Sequence, residues 1–317
     1  MIPYPFRTGE GRPFPRYPYR GRFAPSPTGL LHFGSLVAAV ASFCEARRHR
    51  GLWFVRMEDL DSPRTAPGAA DGILRSLERL GFEWDGEVMA QSRRAPEYAQ
   101  ALEGLKNICR VFACGCSRKE IADSMPNFDG ERIYPGTCRH GLPPGREARA
   151  LRLRVDHELI DFEDAVQGPQ RQDLARVIGD FVLRRADGIH SYQLAVVVDD
   201  AAQGITDVVR GADLLDSTPR QILIQQLLAY ATPRYAHVPV ALNAAGEKLS
   251  KQTLARAIDT NNGETELVKA LRFLGQPAPE ELLRSDVTGI WHWALANWDL
   301  SNVPRQRSAA ATDCGGY

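Results

Sequence analysis

The stretch RFAPSPTGLLHFGS, residues 22–35, decides the fold of this chain. It opens in a short strand, predicted over 21–25, which ends at a proline. A helix is predicted over 35–50, with Ser35 as its N-cap and Gly51 as its end. A strand that turns directly into a helix is typical of the first half of a βαβ unit, which belongs to a parallel sheet.

The elements that follow continue this alternation. A continuous apolar run over 52–57 is typical of a buried parallel strand, and an amphipathic helix predicted over 68–80 ends at Gly81. The βαβα order predicts an α/β fold, an open parallel sheet with right-handed crossovers. Further strands are predicted over 150–155, 192–198, 206–210 and 238–242, and further helices over 91–109, 217–230 and from 253 onward.

Composition divides the chain into four parts. Residues 1–22 carry five arginines against one acidic residue, together with five prolines, so an extended leader is predicted over 1–20. The segment 110–175 is rich in Arg, Gly and Pro and is expected to form an inserted subdomain. The catalytic part is predicted over 21–109 and 176–250, followed by a helical C-terminal region over 251–317. One helix face in that region is predicted to pack in the core through Trp291, Ala294, Leu295 and Trp298.

The overall composition excludes several classes of protein. Of the 317 residues, 44% are apolar and 25% charged, which is unlike a disordered chain or a small disulfide scaffold. Lys and Arg total 39, as do Asp and Glu, so a protein that coats nucleic acid non-specifically is not expected. Neither a secretion signal nor a membrane span is predicted. The expected setting is the cytoplasm, where cysteines stay reduced.

Two distant motifs carry features of a phosphate site. His32 and Gly34 precede a helix N-terminus, where backbone N–H groups favour an anion and glycine permits close approach; a plain helix cap is the alternative. The run KLSKQ places Lys248 and Lys251 around a serine. Two such cations can stabilise a transferring phosphoryl group, although a run of this kind taken alone is more commonly a solvated surface.

Three cysteines in the predicted insertion indicate a metal site. Cys114, Cys116 and Cys138 lie within 25 residues of one another, and three thiolates with one further ligand satisfy tetrahedral zinc. His140 is a chemically ordinary candidate for the fourth position, because neutral imidazole is a common zinc ligand. The alternative is a group of three thiols that holds no metal.

The sequence resembles the class I aminoacyl-tRNA synthetases, in particular their glutamate-specific branch. The resemblance runs from Arg22 to about Ile258 and is carried by RFAPSPTGLLHFGS, VRMEDLDSPR, SYQLAVVVDDAAQGITDVVRGADLL and KLSKQ. It implies a Rossmann-type parallel sheet with an inserted zinc-bearing subdomain and a short helical C-terminal region. Ser35 stands where the first family signature ends in histidine, and KLSKQ stands for KMSKS; both departures are acceptable in this branch.

The resemblance also implies roles for individual residues. Glutamate would be bound by Arg22 and Arg210 as bidentate carboxylate partners, by Glu58 through its ammonium, by Tyr192, and by the backbone of Phe23, Ala24, Pro25 and Ser26. ATP would be bound by His32, Gly34, Ser35 and Lys251, and the catalytic residues would be His32, Lys248 and Lys251. Tyr134 would be the fourth zinc ligand, in competition with His140. Without the resemblance, Arg210 is more readily interpreted as a surface charge on a strand, and Glu58 as an ion-pair partner of Arg56 or Arg64.

Within that branch the chain is similar to shortened paralogues that glutamylate queuosine in the anticodon loop of tRNA(Asp). The implied partners are L-glutamate, ATP, which is expected with Mg²⁺, and the anticodon stem-loop of tRNA(Asp). The protein is expected to be a monomer. Only 66 residues follow Lys251, so no separate anticodon domain of ~100–150 residues is expected. The main alternative is a compact enzyme that charges a tRNA 3′ end. An inactive RNA-binding protein and a small-molecule nucleotidyltransferase are weaker alternatives.

Overall fold

The structure is a computed structural model that describes residues 18–61, 65–122, 133–243, 245–249 and 257–311. Its strands in chain order are β1 (Arg20–Phe23), β2 (Leu52–Met57), β3 (Met89–Ala90), β4 (Val111–Cys114), β5 (Ala150–Leu153), β6 (Leu159–Asp164), β7 (Gly168–Asp173), β8 (Phe181–Arg184), β9 (Asp207–Gly211), β10 (Arg234–Val238), β11 (Val240–Leu242) and β12 (Ser308–Ala310). Its α-helices are α1 (Phe33–Arg48), α2 (Ala69–Arg79), α3 (Ala95–Asn107), α4 (Arg118–Ala122), α5 (Leu174–Val177), α6 (Tyr192–Ala202), α7 (Thr218–Leu227), α8 (Gly263–Phe273) and α9 (Val287–Asn297).

The predicted parallel sheet is confirmed. Strand β2 pairs in parallel with β1 on one side and β3 on the other. Strand β10 pairs in parallel with β9 and with β6, while β7 adds an antiparallel edge to β6. The amide of Thr206 donates to the carbonyl of Arg20 over 3.0 Å, so β9 lies next to β1. The carboxyl ends of β1 and β9 therefore meet at one edge of the sheet.

The first helix begins two residues earlier than predicted, and Ser35 is not its N-cap. Residue His32 holds that position in an extended conformation, and its Nδ1 accepts from the Ser35 amide at 3.3 Å. Imidazole nitrogen thus replaces the hydroxyl or carboxylate oxygen that usually caps a helix. Helix α1 is buried along most of its length against the sheet and the C-terminal helices.

The strand predicted over 192–198 is wrong: these residues lie in α6. The hydroxyl of Ser191 accepts from the Leu194 amide and caps this helix. The run from Leu194 to Val198 is buried between neighbouring elements, so all sides of the helix there are apolar. A short apolar run of this kind does not distinguish a buried helix from a buried strand.

The predicted insertion and the catalytic part exchange strands. Strands β4, β5 and β8 form a separate antiparallel sheet, so β8, from the predicted catalytic range 176–250, belongs with strands of 110–175. Conversely, the β6–β7 hairpin lies within 110–175 and pairs with β10. The division of the chain at residue 175 stays a prediction.

The C-terminal part is mostly helical, as predicted, and completes the core. Trp291, Ala294 and Trp298 are buried, with Leu295 partly buried beside them, so the predicted face is confirmed. Strand β12 is an exception to the helical prediction, because it pairs in parallel with β11.

The first described residues belong to the folded part. Tyr19 is buried and Arg20 begins β1, so the predicted leader 1–20 overlaps the core at its end. Its residues 1–17 lie outside the described part of the chain. In that described part, no helix combines the length and the apolar character needed to cross a membrane.

Candidate functional site

A cleft of about 730 Å³ opens at the carboxyl ends of β1 and β9, beside the N-terminus of α1. Clefts at this edge of a parallel sheet are the usual ligand sites of such folds. The residues predicted for the site that line this one cleft are Arg22, Phe23, Ala24, Pro25, Ser26, His32, Gly34, Ser35, Glu58, Tyr192, Arg210 and Lys248. The remaining predicted member, Lys251, lies outside the described residues.

One end of the cleft, here called the phosphate end, joins the two distant motifs. A Cβ atom on Gly34 would lie 3.2 Å from the carbonyl oxygen of Leu249, so glycine permits this close approach of the two segments. The amide of Ile258 donates to the carbonyl of Leu31 over 3.0 Å. His32 lies at the helix N-terminus, with its Nε2 3.0 Å from the Ser35 hydroxyl. Helix N–H groups and the second motif therefore border one space.

Lys248 supplies an exposed positive charge at this end. Its Nζ lies 2.6 Å from a carboxylate oxygen of Asp213, and its side chain is 47% exposed. Because the pair is open to solvent, its attraction is weak, and a phosphate group can compete for the ammonium.

The other end, here called the amino-acid end, is built on buried ion pairs. Arg22 is only 3% exposed, and its Nε donates to Asp200 Oδ1 at 3.1 Å. The same carboxylate oxygen accepts from Nη2 of Arg56 at 2.5 Å, while Nη1 of Arg56 donates to Gln203 at 2.7 Å. One carboxylate on α6 thus fixes two arginines from neighbouring strands.

Glu58 lies against this cluster, immediately after β2. Its Oε1 is 4.0 Å from Nε of Arg56, so the alternative pairing with Arg56 is present in the structure; Arg64 lies outside the described residues. Burial raises the pKa of Glu58 to about 7, although Arg56 and Arg22 act to lower it. The carboxylate is therefore poorly stabilised without a further cation, which makes it a suitable partner for a ligand ammonium.

Arg210 is held by a second buried network. It is 5% exposed, which excludes the surface-charge alternative. Its Nη2 donates to Thr218 and Gln221, each at 2.9 Å, and its Nη1 donates to the Tyr192 hydroxyl at 3.4 Å. Its Nε donates to Nε2 of His237 at 3.0 Å. The guanidinium is consequently fixed in orientation before any ligand arrives.

His237 links Arg210 to a more distant carboxylate, that of Asp164, through hydrogen bonds at its two ring nitrogens. Burial lowers the pKa of His237 to about 4, so the ring is neutral at pH 7. Its Nδ1 lies 2.6 Å from Asp164 Oδ2, which accepts the single ring proton and leaves Nε2 free to accept from Arg210. The hydrogen bonds to Asp164 and Arg210 therefore fix the His237 ring in the tautomer that carries its proton on Nδ1.

Sequence reasoning missed the partners of the pocket arginines. No role is predicted from the sequence for Asp199 and Asp200, but both are buried in α6, where Asp199 accepts from Gln91, Arg94 and Tyr98. The available signal was a pair of carboxylates at the end of an apolar run, because buried aspartates are almost always paired. No comparable signal marked His237 or Asp164.

The three cysteines converge in the subdomain formed by β4, β5 and β8. Their Sγ atoms lie within 4.8 Å of one another, with 3.7 Å between Cys116 and Cys138. The Tyr134 oxygen lies 3.4 Å from Sγ of Cys114 and 3.7 Å from Sγ of Cys116. These separations are close to the edges of a tetrahedron whose centre is about 2.3 Å from each sulfur. His140 is exposed.

The sequence matches proteins of one family over most of its length. Residues 19–281 match the catalytic domain of class I tRNA synthetases (E and Q). The chain is 61% identical over 291 residues to the glutamyl-Q tRNA(Asp) synthetase of Dechloromonas aromatica (strain RCB), which covers 91% of this chain and 97% of that protein. It is 58% identical over 294 residues to the glutamyl-Q tRNA(Asp) synthetase of Aromatoleum aromaticum, covering 93% of each.

Solved structures share the fold. The glutamate-tRNA synthetase from Elizabethkingia anophelis superposes with a TM-score of 0.77 at 21% identity, covering 93% of this chain and 68% of that one. The architecture described above is accordingly the catalytic fold of class I tRNA synthetases.

Proposed function

Because the chain belongs to the glutamyl-Q tRNA(Asp) synthetases, a family of class I tRNA synthetases, we propose that it activates L-glutamate with ATP and transfers the glutamyl group to queuosine in the anticodon loop of tRNA(Asp). One observation carries this assignment: a single cleft joins two buried arginines beside a glutamate side chain to a helix N-terminus with exposed lysine. That combination suits an amino acid with two carboxylates next to a polyphosphate.

In the first step, an oxygen of the glutamate α-carboxylate attacks the α-phosphorus of ATP. A bond forms between that oxygen and phosphorus, and the bond to the bridging oxygen breaks, so that pyrophosphate leaves with the electron pair. His32, Lys248 and Lys251 stabilise the charge on the phosphates, which is the main contribution a protein makes to phosphoryl-group chemistry. Gly34 and Ser35 bind ATP at the start of α1, and Mg²⁺ accompanies the nucleotide.

At the amino-acid end, glutamate is recognised by complementary charge. Arg22 and Arg210 bind the two carboxylates, and Glu58 binds the ammonium. Tyr192, which contacts Arg210, forms a wall of the pocket, and the backbone of residues 23–26 lines it. Burial supports this role, since charged hydrogen bonds are stronger away from water.

In the second step, a hydroxyl of the queuosine cyclopentenediol attacks the activated carbonyl carbon. A carbon–oxygen ester bond forms, the bond between carbonyl carbon and phosphate oxygen breaks, and AMP leaves. The hydroxyl proton passes finally to solvent. We expect the enzyme to act as a monomer in the cytoplasm.

We further propose that Cys114, Cys116, Cys138 and Tyr134 hold a structural Zn²⁺. The spacing of the three sulfurs and the phenol oxygen fits tetrahedral coordination. Arg146 donates to Cys116 at 3.5 Å and Arg152 lies 4.0 Å above the Tyr134 ring, so two cations offset the anionic ligand set. Bound zinc would fix the fold of the subdomain.

Elemental analysis tests the zinc proposal. Protein purified without chelators is expected to contain one zinc per chain, and Cys116→Ser to lose it. The variant His140→Ala, in which the ring outside the cluster is removed, is expected to retain the metal. Absence of stoichiometric zinc from the parent protein would contradict the proposal.

Labelled glutamate tests the function itself. The tRNA is charged with radioactive glutamate and cut with nuclease, and the labelled fragment is identified. The label is expected on the anticodon-loop fragment and only with tRNA that contains queuosine. Label on the 3′-terminal adenosine, or equal charging of tRNA without queuosine, would instead indicate an enzyme that charges tRNA 3′ ends.

A further inference from the structure

A second cavity, of about 700 Å³, opens next to the cleft. It shares Ser26, Thr28, Glu58 and Tyr192 with the cleft. These shared residues lie at or beside the amino-acid end, and none of the residues His32, Gly34 and Lys248 lines the second cavity. A molecule in the second cavity can therefore reach the amino-acid end without crossing the phosphate end.

The walls of the second cavity come from three parts of the chain. Asp61 and Thr65 follow β2, and Arg185 and His190 follow β8. The subdomain contributes Cys116, Ile121, Ala150 and Arg152. The cavity thus lies between the main sheet and the subdomain, where a large partner can insert one group while its remainder stays outside.

An ion-paired cluster gives this cavity its chemical character. Nη1 of Arg185 donates to Asp61 at 3.2 Å, and its Nη2 donates to Asp187 at 2.6 Å. The three side chains are 30–46% exposed, so a ligand can reach them. Each carboxylate oxygen can accept more than one hydrogen bond, and the cluster therefore suits a ligand that presents adjacent hydroxyl groups.

The proposed two-step reaction requires a second entrance of this kind. When glutamate and the nucleotide occupy the cleft, the acceptor hydroxyl must approach the same carbonyl from another direction. A volume of this size accommodates one nucleoside. We infer that the second cavity binds the acceptor nucleoside, and that Asp61 and Arg185 hold its vicinal hydroxyl groups beside the amino-acid end. This inference rests on the proposed function.

Separate assays of the two steps test the inference with Asp61→Asn and Arg185→Gln. Exchange of pyrophosphate into ATP, driven by glutamate without tRNA, reports on the cleft, which neither residue lines. Transfer of labelled glutamate to tRNA reports on both sites. Transfer is expected to fall roughly tenfold to 100-fold, the cost of a lost charged hydrogen bond, while exchange stays within about twofold.

Matched controls come from an exposed pair elsewhere. Arg171 and Asp161 lie 3.5 Å apart on the β6–β7 hairpin, at 70% and 60% exposure, and Arg171→Gln and Asp161→Asn are expected to leave both assays unchanged. Asp187→Asn provides a third cavity variant if Asp61→Asn does not fold, and is expected to reduce transfer as well.

The outcomes separate failure of the inference from failure of the proposed function. Parent-like transfer in the cavity variants, or an equal loss in both assays, would overturn the nucleoside site while leaving the function intact. A parent protein without glutamate-dependent exchange, or without transfer to tRNA, would instead overturn the function. Free queuosine nucleoside provides an independent probe: it is expected to inhibit transfer but not exchange in the parent protein, and inhibition of exchange would contradict a separate site.

Discussion

The two ends of the cleft differ in how far their charged side chains are buried and held by other residues. At the amino-acid end, Arg22, Arg210 and Asp200 are at most 5% exposed and are joined by hydrogen bonds to neighbouring helices and strands. At the phosphate end, Lys248 is 47% exposed, and its direct ion pair with Asp213 is open to solvent. Under the proposed function, groups fixed in advance would select the amino acid, whereas the triphosphate would meet an exposed lysine.

The difference has a physical basis. Buried charges carry a large desolvation cost, and only fixed partners offset it; in return, they interact strongly and in one geometry. Exposed lysines carry little such cost, but water and salt weaken their attraction. A small dicarboxylic acid needs the first arrangement, while a triphosphate, with several negative charges, can be bound by the second.

The largest expected effect is on stability, and it should come from removing the Asp200 carboxylate, which joins two buried arginines. Asp200→Ala leaves Arg22 and Arg56 without this counter-ion and should lower the free energy of unfolding by about 3–5 kcal/mol. Asp213→Ala, the matched change at the phosphate end, should lower it by less than about 1 kcal/mol. Urea unfolding followed by circular dichroism measures both, and similar small losses for the two variants would remove the contrast between the ends.

At the phosphate end, the effect should appear in activity rather than in stability. Lys251→Ala is expected to slow glutamate-dependent pyrophosphate exchange roughly 100-fold or more, the usual cost of losing one electrostatic contact to a transition state. Its free energy of unfolding should change by no more than about 0.5 kcal/mol. The control Lys106→Ala removes an exposed lysine that pairs with Glu103 on α3, and parent-like exchange in Lys251→Ala would rule out the phosphate-binding role.

Short motifs and the family resemblance predicted residues that line both ends of the cleft, but not the side chains that hold those residues in place. His32 and Lys248 lie in short motifs whose spacing is visible along the chain, and the parallel sheet then brings such motifs together. Asp200 and His237 act through pairings that form only when α6 and β10 pack against β1 and β9. The same limit explains the wrong strand over 192–198, because an apolar run shows burial and not the direction of its backbone hydrogen bonds.

Changing the hydrogen-bonded chain from Asp164 through His237 to Arg210 should have a smaller effect, confined to the binding of glutamate. In Asp164→Asn the new amide N–H can donate to Nδ1 of His237, so that the ring proton moves to Nε2. Two N–H donors, those of His237 Nε2 and Arg210 Nε, would then face each other and the hydrogen bond between them would be lost. The KM for glutamate is expected to rise about tenfold, the cost of one lost hydrogen bond to a charged group, while the KM for ATP stays constant. Pyrophosphate exchange at varied concentrations of each substrate measures both constants.

A substitution of Asp207, a buried carboxylate at the end of β9 away from the cleft, controls for general destabilisation in Asp164→Asn. Asp207 begins β9 and pairs with Arg234, so Asp207→Asn alters the same sheet away from the cleft. This variant should leave the KM for glutamate unchanged. If both variants raised the two KM values together, the role of Asp164 would be structural rather than directed at Arg210.

The smallest expected effect is a pH dependence confined to the amino-acid end. Because burial raises the pKa of Glu58 to about 7, its ionised fraction falls about threefold between pH 7.5 and 6.5. The ammonium of glutamate requires the ionised form, so the KM for glutamate should rise about threefold over that interval. The groups around Glu58 are Arg22, Arg56, Arg210 and Asp200, and the arginines stay charged throughout.

Stability should respond to pH with the opposite sign. The folded-state pKa of Glu58 lies above its ordinary value of 4.5, so its contribution to stability is full below that value and is lost as the pH rises through about 7. Glu58→Gln should therefore remove the pH dependence of the glutamate KM, raise that KM, and stabilise the unliganded protein above pH 7. Pyrophosphate exchange and urea unfolding at pH 6.5 and 7.5 measure these changes. A parent-like pH profile of the glutamate KM in Glu58→Gln would show that Glu58 does not cause the pH dependence.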